Sequence, residues 1–181
     1  MLLSYTELLD LIAQGVIDAP IENVNAASID LTLDSKILFE QDRTLWGKPI
    51  DLANKESIET YAHEMSKDGY VLLPGAFILA STRETFNLPD YISAEYKLKS
   101  SMARNGLEHL NAGWADAGWH GSKLTLELKN MTQNHILRIR PNMPIGQMVF
   151  FRHQSVPKHA SYATKGRYNG QSEVTASKGI R

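Results

Sequence analysis

The sequence predicts a mainly β fold, a sandwich or barrel with a few short helices, and three observations carry that expectation. Apolar and polar residues alternate with a period of two, as in Ile29-Asp30-Leu31-Thr32-Leu33. Turn signals such as Pro74-Gly75 and Arg140-Pro141-Asn142 separate these segments at short intervals. Clear helical patterning is confined to the first residues, whereas a βαβ fold would need helices alternating with strands throughout.

The elements follow in chain order. Ser4 and Glu7 form an S-x-x-E capping box ahead of Leu8, Leu9, Leu11 and Ile12, and Gly15 stops the helix. This predicts an N-terminal amphipathic helix of roughly ten residues packed on the core. Ile29–Leu33 reads as a half-buried strand and Ile37-Leu38-Phe39 as another. Residues 40–69 are charged and less regular, with a candidate helix over Glu56–Met65. Tyr70–Leu73, the Pro74-Gly75 turn and Phe77–Ala80 read as strand, turn, strand. Leu88-Pro89 breaks the chain before a segment at Tyr91–Leu98. Short strands are then expected at Lys123–Lys129, Ile136–Ile139 and Met148–Phe151. From Tyr162 onward, charges lie among Gly, Ser, Thr and Asn, which by composition is a flexible tail.

Composition narrows the function classes. With 181 residues, 43% hydrophobic and 22% charged, residues 1–181 suit one globular domain, with 162–181 as a C-terminal tail or lid. A net charge of −1 gives no global basic field, so nucleic acid is not an expected partner. There are no cysteines, which removes disulfides, thiol catalysis and Cys-ligated zinc. The N-terminus lacks a basic region followed by an apolar run, and no stretch has the length of a membrane span. A soluble cytoplasmic protein without a membrane partner is expected.

Three places offer chemistry. Lys99-Ser100-Ser101-Met102-Ala103-Arg104 precedes Gly106 and fits one capped helical turn. Its free N–H groups, two hydroxyls and Arg104 suit a phosphate chain, although such a turn alone reads first as an ordinary cap with a solvated arginine. In Leu124-Thr125-Leu126-Glu127-Leu128 the leucines share one face, and Thr125 and Glu127 share the other. A lone strand glutamate is usually solvated; only beside a pocket would desolvation raise its pKa and suit it to proton transfer. Asp116 lies between Trp114 and Trp119 and next to two glycines, where it either bonds its own turn or meets a ligand walled by the aromatics. None of the six histidines has a metal-ligand spacing, and the zinc-deaminase signature is missing its cysteines. In the tail, Tyr162, Lys165, Arg167, Tyr168 and Gln171 combine bases and aromatics that can fold over an anion.

Taken together, these segments resemble the dCTP deaminase family of the dUTPase-like superfamily. The resemblance begins at Asn25–Leu33 and runs through Leu73–Ala80 and Leu88-Pro89. Its strongest matches are Lys99–Arg104, Ala112-Gly113-Trp114-Ala115-Asp116-Ala117-Gly118-Trp119, Leu124–Glu127, Ile145-Gly146-Gln147 and Arg167-Tyr168-Asn169-Gly170-Gln171. The resemblance implies a distorted dUTPase-like β-barrel, a homotrimer with sites between subunits, and zinc-independent hydrolysis of dCTP to dUTP and ammonia. It implies Mg²⁺ carried with the triphosphate, no protein metal cage, and dTTP as a candidate inhibitor. It makes Glu127 the general acid and base. It assigns Lys99, Ser100, Ser101, Met102, Ala103 and Arg104 to substrate binding, with the serines and Arg104 on phosphates. The backbone at Ala112 would position the attacking water, Asp116 would read the 3′-hydroxyl, and Thr125, Leu126 and Glu127 would meet the base edge. Gln147, Tyr162, Arg167 and Gln171 would close on the triphosphate.

Lys99 stands where the family more often has Arg, and Arg167 where it more often has Lys. Gly106–Asn111 is one residue shorter than the family pattern, and Gly118–Glu127 is one longer. A β-bulge near Ser122 would absorb the extra residue; without one, Glu127 would turn to the wrong face. The leading expectation is a dCTP deaminase releasing dUTP. Ala112–Asp116 resembles instead the Ala-Gly-aromatic-x-Asp segment of bifunctional members that go on to dUMP and pyrophosphate, and that product is the alternative. A nucleotide-binding sensor without turnover is the third.

Overall fold

The structure is a computed structural model that describes residues 1–40 and 49–179. Helix α1 (Tyr5–Ala13) leads into β1 (Ile29–Thr32), β2 (Lys36–Glu40), β3 (Thr60–Glu64), β4 (Tyr70–Leu72), β5 (Phe77–Asn87) and β6 (Ile92–Leu98). The short helix α2 (Ser100–Ala103) follows, then β7 (Leu107–Glu108), β8 (Trp114–Ala115), β9 (His120–Asn130), β10 (Leu137–Ile139), β11 (Pro144–Arg152) and α3 (Tyr162–Lys165). Single 3₁₀ turns lie at Ile21–Asn23 and Leu52–Asn54.

The strands form a four-stranded sheet in the order β1-β11-β6-β8 and a five-stranded sheet in the order β3-β2-β5-β9-β7, with a β10-β4 ribbon beside them. The sheets do not close into one ladder, so the architecture is a distorted barrel, in agreement with the mainly β expectation. Ile29, Leu31, Ile78, Leu126, Leu128, Met148 and Phe150 fill the space between the sheets. The capping box forms as the sequence predicts, with Glu7 Oε2 accepting from the Ser4 N–H at 3.1 Å. Leu8 and Leu11 are the helix residues driven fully into the core. No described helix is long and apolar enough to cross a membrane.

Two expectations change. The candidate helix over Glu56–Met65 is instead strand β3, paired antiparallel to β2 from Lys36↔Glu64 to Glu40↔Thr60. Cross-strand aromatics outweigh any helical preference there: Tyr61 and His63 lie 6.0 and 6.5 Å from the Phe39 ring. Residues 41–48 of the irregular segment lie outside the described residues. The tail is not a solvated appendage. Gln171 O accepts from the Lys123 N–H at 2.9 Å, Ser122 Oγ donates to Tyr168 O at 3.0 Å, and Val174 is buried. The free edge of β9 supplies backbone groups that composition does not reveal.

Strand β9 is irregular at two points that matter for the site. Phe86 pairs with Ser122 and Asn87 with His120, leaving Gly121 unpaired at φ +60°. This places a one-residue bulge beside Ser122. On β5, Thr82-Arg83-Glu84 stand opposite Leu124 alone, because Ser81 pairs with Thr125 and Thr85 with Lys123. Thr82 Oγ1 fills the resulting gap, accepting from the Leu124 N–H and donating to Glu84 O, both at 3.0 Å. The buried Glu84 carboxylate accepts from the Thr32 N–H at 3.1 Å and from Thr32 Oγ1 at 2.7 Å, tying β1 to the bulge. Beyond these irregularities β5 and β9 run in register from Ser81↔Thr125 to Phe77↔Lys129.

Candidate active site

Register decides where Glu127 points. Leu124, Leu126 and Leu128 face the core, so Thr125 and Glu127 face the other way. That face is not open solvent. It forms a wall of a cavity of about 420 Å³, together with Leu79, Phe77, Trp114, Trp119 and the tail residues Tyr168 and Thr175. Leu79 is the direct cross-strand partner of Glu127, and Phe77 lies one step along the same face. No ion pair among the described residues involves Glu127. Burial against these apolar neighbours pushes its carboxyl pKa up, with a backbone hydrogen bond opposing in part.

Asp116 reaches the same cavity from the turn after β8. Its Oδ1 accepts from Trp114 Nε1 at 2.8 Å, and the turn closes with the Trp119 N–H on Asp116 O at 3.1 Å. Gly118, at φ +87°, allows this turn: a Cβ there would sit 2.1 Å from Ser161 Oγ. Trp119 is buried, stacked on Phe86 at 5.3 Å, and donates its indole N–H to Tyr168 O at 2.9 Å. The aromatic pair around Asp116 therefore has two jobs: Trp114 bonds the carboxylate, and Trp119 ties the core to the tail.

Six of the residues that the resemblance assigned to the site meet at this cavity, Ala112, Asp116, Thr125, Glu127, Tyr162 and Gln171, beside the singled-out aromatics Trp114, Trp119 and Tyr168. Gln171 is anchored by its Nε2 donating to Lys123 O at 2.9 Å, which leaves its buried Oε1 without a partner. The Thr125 hydroxyl accepts from the Thr175 N–H at 3.2 Å. The Leu126 side chain is buried in the core and does not line this cavity. Arg167 lies on a second, more polar cavity of about 380 Å³ that shares Asp116, Tyr162 and Tyr168 with the first. Its guanidinium donates to Lys178 O at 3.1 Å and to Gly179 O.

The Lys99–Arg104 turn and Gln147 do not line the Glu127 cavity of the same chain. They form a separate cluster at the ends of β6 and β11, where the Lys99 N–H donates to Ile145 O at 3.1 Å. Lys99 Nζ bonds Asp30 Oδ2 at 2.6 Å, and Asn25 Nδ2 holds Asp30 Oδ1 at 2.8 Å. Gln147 Oε1 accepts from Ser28 Oγ at 3.2 Å. Ser100, Ser101 and Arg104 are exposed, while Met102 packs partly against the core. Ile58, Phe77, Leu79 and Thr175 also line the cavity, and sequence reading did not find them. The strand at Phe77–Ala80 is visible in the sequence, but only register sets Leu79 opposite Glu127 and Phe77 one step along the same face.

Residues 2–153 match the family model described as dCTP deaminase-like. The chain belongs to the dCTP deaminase-like family. It is 35% identical over 186 residues to the dUMP-forming dCTP deaminase of Methanosphaerula palustris, covering 98% of this chain and 95% of that relative. It is 36% identical over 183 residues to the protein of the same name from Methanoregula boonei, covering 98% and 97%. Among solved structures, the 2′-deoxycytidine 5′-triphosphate deaminase of Agrobacterium tumefaciens shares the fold, with a TM-score of 0.63 at 23% identity. That match covers 84% of this chain but 48% of the other, so this chain spans about half of its length.

Proposed function

We propose that this protein is a dUMP-forming dCTP deaminase that uses Glu127 as proton shuttle. The sequence favoured dUTP as the final product and held dUMP as the alternative; the names of the relatives, covered nearly end to end, support the reverse order. The observation that carries the chemistry is a carboxyl with no ion pair among the described residues, raised in pKa by burial, on the wall of a cavity that also holds Asp116.

In the first step, water attacks C4 of cytosine and Glu127 accepts one of its protons. Of the two water protons, one passes to ring N3 and the other to N4, the C4–N4 bond breaks, and ammonia leaves. Raised proton affinity suits Glu127 to this task, because the group must both take and return a proton near neutral pH. In the second step, a water attacks the α-phosphorus with Asp116 accepting its proton. The bond to the α,β-bridging oxygen breaks, releasing pyrophosphate and dUMP. Thr125 and the Leu126 backbone meet the base edge, the Ala112 backbone positions the first water, and Tyr162, Arg167 and Gln171 close on the phosphates.

Asp116 and Glu127 are the carboxylates among the described residues lining the larger cavity, a sparse oxygen set that fits Mg²⁺ arriving on the triphosphate. That ion would be held by the triphosphate oxygens and, when bound, would neutralise phosphate charge. Ser100, Ser101, Arg104 and Gln147 cannot complete this cavity from within one chain, so a second copy supplies them. A homotrimer, acting in the cytoplasm, satisfies this requirement by repeating one head-to-tail contact.

Incubating the protein with dCTP and Mg²⁺ and separating the products tests the reading. Equal amounts of ammonia, dUMP and pyrophosphate are expected. Accumulation of dUTP alone would leave a simple deaminase. Tight nucleotide binding without ammonia would leave a sensor and end both enzyme readings.

A further inference from the structure

Asp116 stands between two differently furnished spaces. The larger cavity holds Glu127 and its apolar surround, and the smaller carries Lys165 and Arg167; Asp116 is in both walls. An exposed aspartate would ordinarily sample several rotamers. Here its Oδ1 is held at 2.8 Å by the indole N–H of Trp114, its hydrogen-bond donor among the described residues.

The Trp114 backbone is fixed by its sheet and by the residue before it, and its half-exposed indole rests on one neighbouring ring. Trp114 lies in β8, which pairs with β6 through Glu95↔Trp114 and Ala94↔Ala115. The preceding Gly113 is pressed against Tyr96: its carbonyl accepts the Tyr96 N–H at 2.8 Å, and a Cβ would sit 2.8 Å from Tyr96 O. The indole ring stacks on Phe151 of β11, with centroids 6.1 Å apart and planes 28° from parallel. A ring held by the sheet thus holds one carboxylate oxygen and leaves Oδ2 as the oxygen able to accept a proton.

We infer that Trp114 is a positioning residue that aims Asp116 and thereby sets how much deaminated nucleotide is carried on to dUMP. This rests on the proposed dUMP-forming activity and names the group that governs its second step. The step is hydrolysis of the α-phosphate: water oxygen bonds to phosphorus, its proton goes to Asp116 Oδ2, and pyrophosphate departs with the bridging oxygen. Positional error at a general base costs rate out of proportion to the binding lost, because reacting atoms must sit within about 3–3.5 Å. Deamination occurs at Glu127, on another strand, and depends less on the aim of Asp116.

Trp114→Phe retains the ring on Phe151 and removes only the N–H donor. With dCTP as substrate, the dUMP-to-ammonia ratio is expected to fall about tenfold, the range expected for losing a hydrogen bond to a charged group. With dUTP supplied directly, kcat is expected to fall while KM changes little, and Asp116→Asn with or without Trp114→Phe should behave alike. A melting curve run in parallel reports the structural cost of the substitution. An unchanged dUMP-to-ammonia ratio in Trp114→Phe overturns the inference alone. So does an equal loss of both products, which would mark a general structural role. A wild-type protein that stops at dUTP overturns the dUMP-forming reading, and the inference with it.

Discussion

Glu127 and Arg104 carry comparable chemical promise in the sequence, yet the fold builds their surroundings in opposite ways. Glu127 sits inside an 11-residue strand with a neighbour along most of one edge, a bulge on each of the two strands, and the tail against the other edge. Arg104 caps a four-residue helix, exposed, and Lys99 at the opposite end of that helix is bonded to Asp30. One region is a finished pocket for a base; the other is an open cradle with charge on a surface. The difference teaches that one chain presents the two regions apart, so a site built on both, as proposed, needs a second copy.

The sharpest break between the regions is Glu127→Gln. Ammonia release should fall by about three orders of magnitude, within the range for losing a general acid–base, while dCTP binding by calorimetry is retained. Retained turnover would remove Glu127 from the chemistry. Arg104→Ala should act differently, raising KM about tenfold or more with a smaller effect on kcat, as expected for a lost charged contact to phosphate. A kcat loss at unchanged KM would move Arg104 out of the cradle.

The scaffold under the pocket gives the next effect. Thr82→Val keeps shape but removes the acceptor for the buried Leu124 N–H, at a cost of about 1–3 kcal/mol in unfolding free energy. Thr82→Ser should restore most of it, and equal loss in both would point to packing rather than the hydroxyl. The smallest effect is electrostatic. Burial raises the folded pKa of Glu127 above its ordinary 4.5, so its contribution to stability is present below that value and lost as pH rises through the folded pKa. Glu127→Gln should therefore raise Tm at pH 7.5, on the order of 2 °C, with the gain vanishing near pH 4. By the same shift, the acid limb of kcat/KM should lie above the ordinary carboxylate range.

Much of this was legible in the residues. Period-two alternation located β1 and β9, apolar runs between turn signals located β2, β4, β5, β10 and β11, the capping box located α1, and the Leu-Thr-Leu-Glu-Leu pattern set Glu127 opposite the core. What the sequence withheld was tertiary in origin. Strand β3 depends on Tyr61 and His63 meeting Phe39 across the sheet, which no local propensity states. The ordered tail depends on unpaired backbone groups of β9, and Leu79 and Phe77 join the site only through register. The Asp116 ambiguity between a self-bonded turn and a ligand contact resolves into a third arrangement, a carboxylate held by a neighbouring indole and open to the cavity.

Joining the two regions across copies is the step that subunit mixing tests. Glu127→Gln and Arg104→Ala chains, differently tagged and co-expressed in equal amounts, should assemble at random, so that about a quarter of all sites pair an intact Glu127 with an intact Arg104. At dCTP below the wild-type KM, ammonia release near a quarter of wild type, well above either variant alone, is the expected result. Mixed assemblies no more active than the two separate variants would contradict a site shared between copies.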